Sequence, residues 1–128
     1  MDYHFSKTLS LPFDEAVEKV TGALSEEGFG VLTTIDVKAT LKKKLDVDFR
    51  PYTILGACNP GFAYRALQAE DKIGLMLPCN VLVQETSDGA VEVSAVNPIV
   101  SMQAIDNPEL GAMAKEVQGL LSSIIEGL

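Results

Sequence analysis

Apolar and polar positions change period several times along this chain, and each change marks an element. Between residues 3 and 9 the period is two: Tyr3, Phe5 and Leu9 alternate with His4, Ser6 and Thr8, as in a half-buried strand. The period then lengthens. Phe13, Val17, Val20 and Leu24 recur at helical spacing, with Ala16 and Ala23 widening the stripe, so a helix is predicted over about 12–27. Ser10 can cap it with Pro12 in the first turn, Asp14 and Glu15 favour the positive end of its dipole, and Gly28 supplies a left-handed stop. Phe29 to Val37 returns to period two, with Phe29, Val31, Thr33, Ile35 and Val37 on one face. Thr40 to Leu45 reads as a short helical turn, broken at Arg50-Pro51. Tyr52 to Cys58 is a third strand, apolar on both sides at Ile54 and Leu55, as in the middle of a sheet.

Asn59-Pro60 is a helix start, with asparagine as the cap and proline in the first turn, and that helix runs to about Glu70. Ile73 to Glu85 reads as a long fourth strand interrupted by Pro78, where a ladder donor is missing. Ser87-Asp88-Gly89 turns the chain into a fifth strand carrying Val91, Val93 and Ala95, which Asn97-Pro98 ends. After a connecting segment over 99–106, Asn107-Pro108 opens a final helix over about 108–126, roughly 28 Å long. Its stripe of Leu110, Met113, Ala114, Val117, Leu120, Leu121, Ile124 and Ile125 is the strongest periodic signal in the chain. The order β-α-β-(α)-β-α-β-β-α predicts one α+β domain over 1–128: a two-layer sandwich, mostly antiparallel, with helices on one face of the sheet. The connection between the third and fourth strands has crossover length, which predicts that this one pair is parallel.

Composition narrows the function classes. With 47% hydrophobic and 22% charged residues among 128, the chain is globular, and no apolar run approaches the roughly 20 residues of a membrane span. It opens without a basic stretch followed by an apolar one, so a cytoplasmic location is expected. A formal net charge of −8 opposes binding to phosphate backbones, which argues against nucleic acid. The one basic cluster, Lys42-Lys43-Lys44, reads as a solvated helix face, since three successive residues on a helix point three ways. The apolar excess, with Met102 and Met113 beside the long final stripe, predicts a homodimer.

Candidate chemistry rests on the two cysteines. Gly56-Ala57-Cys58-Asn59-Pro60 and Leu77-Pro78-Cys79-Asn80 each set a cysteine beside Asn and Pro where a strand ends or bends. Cys58 precedes a helix start, where free N–H groups and the dipole favour a thiolate, and the small Gly56 and Ala57 leave room for a ligand to approach. A shared pocket lined by Cys58, Asn59, Cys79 and Asn80 is therefore expected, without a native disulfide, at one edge of the sheet. Cys58 and Cys79 are its candidate metal ligands; two thiolates suit a soft ion such as Cu(I), whereas tetrahedral zinc would need carboxylates as well or a dimer to bring four thiolates together. The bland alternative is burial, because free cysteine packs as a small hydrophobe.

Gly28-Phe29-Gly30-Val31, Asp36-Val37-Lys38, Ile54 to Pro60 and Leu77-Pro78-Cys79-Asn80-Val81, in that order, resemble the domain-of-unknown-function family 302 along nearly the whole chain. The resemblance implies a small α/β domain that tends to dimerise in bacteria and archaea, and it implies no reaction. Three function classes stay open. One is a binding module for a soft metal, a cofactor such as haem, or a small molecule at the cysteine pair. Another is a structural or interaction domain with packed cysteines. The third is a thiol-based enzyme or redox sensor, with Cys58 as nucleophile and Cys79 as resolving partner. An enzyme is the least favoured, because no catalytic base accompanies the thiols and His4 is the only histidine. No cofactor is identified by any motif.

Overall fold

A computed structural model describes residues 2–128. The strands β1 (His4–Leu9), β2 (Gly30–Asp36), β3 (Tyr52–Cys58), β4 (Cys79–Glu85) and β5 (Val91–Val96) form one sheet in the order β1-β5-β4-β3-β2. Every pairing is antiparallel. The helices are α1 (Phe13–Glu26), α2 (Val37–Leu45), α3 (Pro60–Ala69), α4 (Pro98–Ser101) and α5 (Pro108–Glu126), with a 3-10 turn at Ile73–Met76. This is an α+β fold with an open antiparallel sheet, as the element order predicts. The parallel pair is a correction: β3 and β4 run antiparallel, because the segment between them returns to the end of the sheet it left.

The period of two decides which face is buried. Leu55 and Ala57 on β3, Val81 and Val83 on β4, and Val91, Val93 and Ala95 on β5 lie under α1 and α5 and make the main core. Ala16, Val20 and Leu24 from α1, and Leu121, Ile124 and Ile125 from α5, complete it. The opposite face carries a polar ladder. Arg50 donates to Gln84 Oε1 at 2.9 and 3.1 Å, Gln84 donates to Glu92 at 3.3 Å, and the Arg50 guanidinium lies 4.5 Å from the Phe49 ring centroid. Lys7 on β1 donates at 2.7 Å to the carbonyls of Glu126 and Leu128, a cation placed at the negative end of α5.

Three Asn-Pro pairs start helices by the same local chemistry. Asn59, Asn97 and Asn107 each accept a backbone N–H in the first turn through the side-chain oxygen. Asn97-Pro98 therefore opens α4 within what reads from sequence as a connecting segment. The start of α1 differs from expectation: Pro12 occupies the cap position and makes no side-chain bond, and Ser10 lies outside the helix. Gly28, at φ +83°, ends α1 in the left-handed region, and Phe29 donates back to Leu24 O at 2.8 Å.

Two further elements depart from the sequence pattern. Ile73 to Met76 is a 3-10 turn and not the first half of a strand; its apolar character serves a second cluster of Ala66, Ile73, Leu110 and Met113 beyond the end of the sheet. The alternation of β2 is broken by a bulge between Val31 and Thr33, which leaves Leu32 68% exposed. α2 is longer than the lysine turn predicted and buries no side chain. Lys42, Lys43 and Lys44 fill its last turn, where cations suit the dipole, and Lys42 pairs with Asp46 at 3.0 Å. No helix among the described residues is long and apolar enough to cross a membrane.

Leu24 is fully buried, whereas Leu75 is 84% exposed. Leu24→Asp should therefore lower the unfolding free energy by about 4 kcal/mol or more, and Leu75→Asp by no more than about 0.5. Urea denaturation of both variants checks the core assignment.

Candidate functional site

The ladder between β3 and β4 ends at the pair Ala57–Cys79. Because the strands are antiparallel, Cys58 and Cys79 lie at the same end of the sheet, where Cys79 pairs with core-facing Ala57 and Cys58, one residue on, alternates to the other face. The chain between them rises off the sheet as α3 and the 3-10 turn and covers the second apolar cluster. A cavity of about 50 Å³ lies at the seam between the two clusters. Phe29, Ala57 and Val117 face it from the main core, and Ala66, Leu110 and Met113 from the second. That is room for water-sized bodies.

Of the residues singled out by sequence, Cys58, Asn59 and Cys79 line this cavity. Asn80 does not. It follows Cys79 on β4, so its side chain projects from the opposite face, where it is exposed. The Asn59 side-chain oxygen is already committed to the α3 cap, accepting from Gly61 N–H at 3.1 Å and Phe62 N–H at 3.3 Å. Gly56 has a structural use in place of the ligand approach expected for it. A Cβ there would meet Thr33 Oγ1 and lie 2.8 Å from Pro78 Cγ, so the missing side chain lets β2 and the segment before β4 close over β3.

Sequence reasoning missed two lining residues, Met102 and Met113. It set them beside the α5 stripe as support for a subunit surface, but Met113 is only 7% exposed and Met102 is half-buried. The available signal was the spacing of Met113 from Leu110 on one helix face; nothing local marks Met102. His4 sits elsewhere, on the opposite face of edge strand β1, in an exposed chain with Ser6 at 2.8 Å and Ser94 beyond it at 2.7 Å.

Neither cysteine is in a disulfide. The Cys79 thiol is pushed up to about 11, first by burial and then by the nearby Cys58. At neutral pH it holds its proton and is a poor attacking group. Among the described residues no three His, Cys, Asp or Glu side chains come together as a metal-binding group.

A thiol whose folded pKa lies above its ordinary value of 9.0 holds its proton more tightly in the folded chain than in the unfolded one. Its contribution to stability is full below pH 9.0 and is lost as pH rises through about 11. The loss amounts to about 2–3 kcal/mol at most. Urea midpoints should accordingly fall more steeply over this alkaline window in the wild type than in Cys79→Ala; parallel slopes would contradict the burial of this thiol.

Comparison with known proteins follows the same fold. The model of the family described as Domain of unknown function DUF302 matches residues 5–128. The chain is similar to the crystal structure of an uncharacterized conserved protein DUF302 from Bacillus stearothermophilus, at 29% identity and a TM-score of 0.89, over 97% of this chain and 96% of that one. No curated protein matches it. On the extent of that match and the shared fold, the chain belongs to the DUF302 family.

Proposed function

We propose that this protein is a binding module whose site is the cavity at the β3–β4 end, lined by Cys58 and Cys79. The observation that carries the reading is convergence: two cysteines 21 positions apart by number, 58 and 79, line one cavity between two apolar clusters. The size of the cavity favours a single ion or a ligand of very few atoms over a cofactor. The raised pKa of Cys79 weighs against a thiolate nucleophile at that position, and Asn59 supports the site as the cap that turns α3 away from the strand. Asn80 is left out of this site. The test is to purify the protein without oxygen, measure bound metal and small molecules, and titrate the thiols with a disulfide reagent. About one bound ligand per chain, lost in Cys58→Ser at unchanged melting temperature, is the expected result. Two unreactive thiols and no ligand in any preparation would favour packed cysteines instead.

A homodimer belongs to the same proposal. Strand β2 is an edge of the sheet, and it carries no lysine or proline to block pairing. Leu32 and Ile35 stand 68% and 47% exposed along it. A second copy of the chain pairing there would cover both. Light scattering at micromolar concentration should return twice the chain mass, and Leu32→Lys should return it to the monomer; a monomeric wild type rejects the dimer.

A further inference from the structure

Residues 37–52 stand apart from the rest of the chain in charge. They hold five basic residues and two acidic ones, a net +3, whereas the remainder holds five and sixteen, a net −11. None of them is buried. Both local carboxylates face one lysine: Lys42 meets Asp46 at 3.0 Å and Asp48 at 3.4 Å, and these are the ion pairs among the described residues. Lys38, Lys43, Lys44 and Arg50 therefore keep their charge without a carboxylate partner there. We propose that this surface docks an acidic peptide segment of a partner protein, with Arg50 as the anchor that takes a carboxylate of the segment. It lies at the start of β3, the opposite end of that strand from Cys58, so it stands or falls separately from the cavity.

A surface arginine is ordinarily mobile, and its ion pairs contribute little. Arg50 is held. Its Nε and Nη2 both donate to Gln84 Oε1, at 3.1 and 2.9 Å, and its guanidinium lies 4.5 Å from the Phe49 ring centroid and 5.3 Å from that of Tyr52. Gln84 is itself oriented, since its Nε2 donates to Glu92 Oε1 at 3.3 Å and so turns the amide oxygen toward Arg50. The holding group is an amide, which fixes the guanidinium without cancelling its charge. A guanidinium has five N–H donors, and Gln84 takes two of them. The other three lie on Nη1 and Nη2, the edge that forms two parallel bonds to a carboxylate. Among the described residues nothing accepts from them, and Arg50 is exposed, so a ligand reaches this edge from solvent.

The surroundings choose the partner. A fixed pair of donors suits a planar carboxylate, and Lys43 and Lys44 add charge that draws further acidic side chains. Leu45 and Val47, 66% and 43% exposed, give the apolar side chains of a segment something to cover. Nucleic acid is opposed by the net −11 of the remaining chain. A layer of lipid headgroups needs positive charge but no fixed orientation of one arginine. A second copy meeting this surface about a twofold axis would set +3 against +3.

The test uses the full chain and a short fluorescent peptide of alternating glutamate and leucine, with binding read by anisotropy. Saturable binding that weakens as salt is raised is expected, and none to the same peptide with lysine in place of glutamate. Arg50→Lys keeps the charge but loses the fork, and should weaken binding about tenfold or more. Gln84→Glu brings a carboxylate to Arg50 from within the chain and should weaken binding as much. Neither substitution touches the core, so both variants should melt close to the wild type. Wild-type affinity in Arg50→Lys or in Gln84→Glu would reduce the surface to diffuse positive charge and overturn the anchored site. So would a wild type that leaves the glutamate peptide unbound, whether it instead sediments with phosphatidylserine vesicles, self-associates through Arg50, or does neither.

Discussion

The antiparallel pairing of β3 with β4 is the constraint on which the remainder of this structure depends. Its register, from Tyr52–Gln84 to Ala57–Cys79, fixes where the sheet stops. The chain between the two strands must leave the sheet and return beside its point of departure. Phe62 of this segment reaches both cores, but the segment's other apolar residues lie beyond the main core, which sits over the middle of the strands, and build a second cluster with Leu110 and Met113 of α5. Helix α5 is long enough to serve both clusters, and that explains a stripe continuous over its whole length. The cavity lies where the two clusters meet. Two apolar groups packed against different partners seldom close without a gap, and a small void costs less than forcing side chains out of their rotamers.

Local chemistry was the legible part of the fold. Asn-Pro reads as a helix start because proline needs no N–H partner in the first turn and asparagine accepts one, and all three such pairs do this here. The hairpin at Ser87-Asp88-Gly89 is equally local: Thr86 N–H donates to Ala90 O at 2.8 Å and Gly89 takes φ +84°. The stripe of α5 was legible because seven of its residues are buried at helical spacing. None of these depends on a distant partner.

What stayed hidden depends on partners far along the chain. A connection over residues 59–78 is long enough for a crossover and also for an excursion that returns to the same end, and its local pattern does not distinguish them. Ile73 looks like strand because it is apolar beside other apolar residues, yet what it meets is the second cluster, which no local window contains. The same limit applied to the site. The pattern Cys-Asn occurs twice, but Asn59 continues into a helix and caps it, whereas Asn80 continues along a strand and alternates away to the open face. Met102 carried no local mark, and the helical spacing of Met113 marked it as buried but not as part of a cavity wall, since a methionine in a cavity wall and one in a packed core look alike in sequence.

The apolar wall of the cavity bears on the thiols in a way that separates nucleophilic from ligand chemistry. A catalytic cysteine works by being a thiolate before its substrate arrives, and this requires nearby positive charge or exposed donors. Around Cys79 the environment acts in the opposite sense: burial penalises the charged form, and Cys58 adds to the penalty. The same desolvation that silences a nucleophile does not silence a metal ligand, because a cation brings its own charge and converts the coordinating thiol to a thiolate outright. The penalty is then offset at the moment of binding, and only for an ion soft enough to prefer sulfur to water. A desolvated, protonated thiol at Cys79 is thus compatible with packing or with soft-ion binding, and it is a poor start for covalent catalysis.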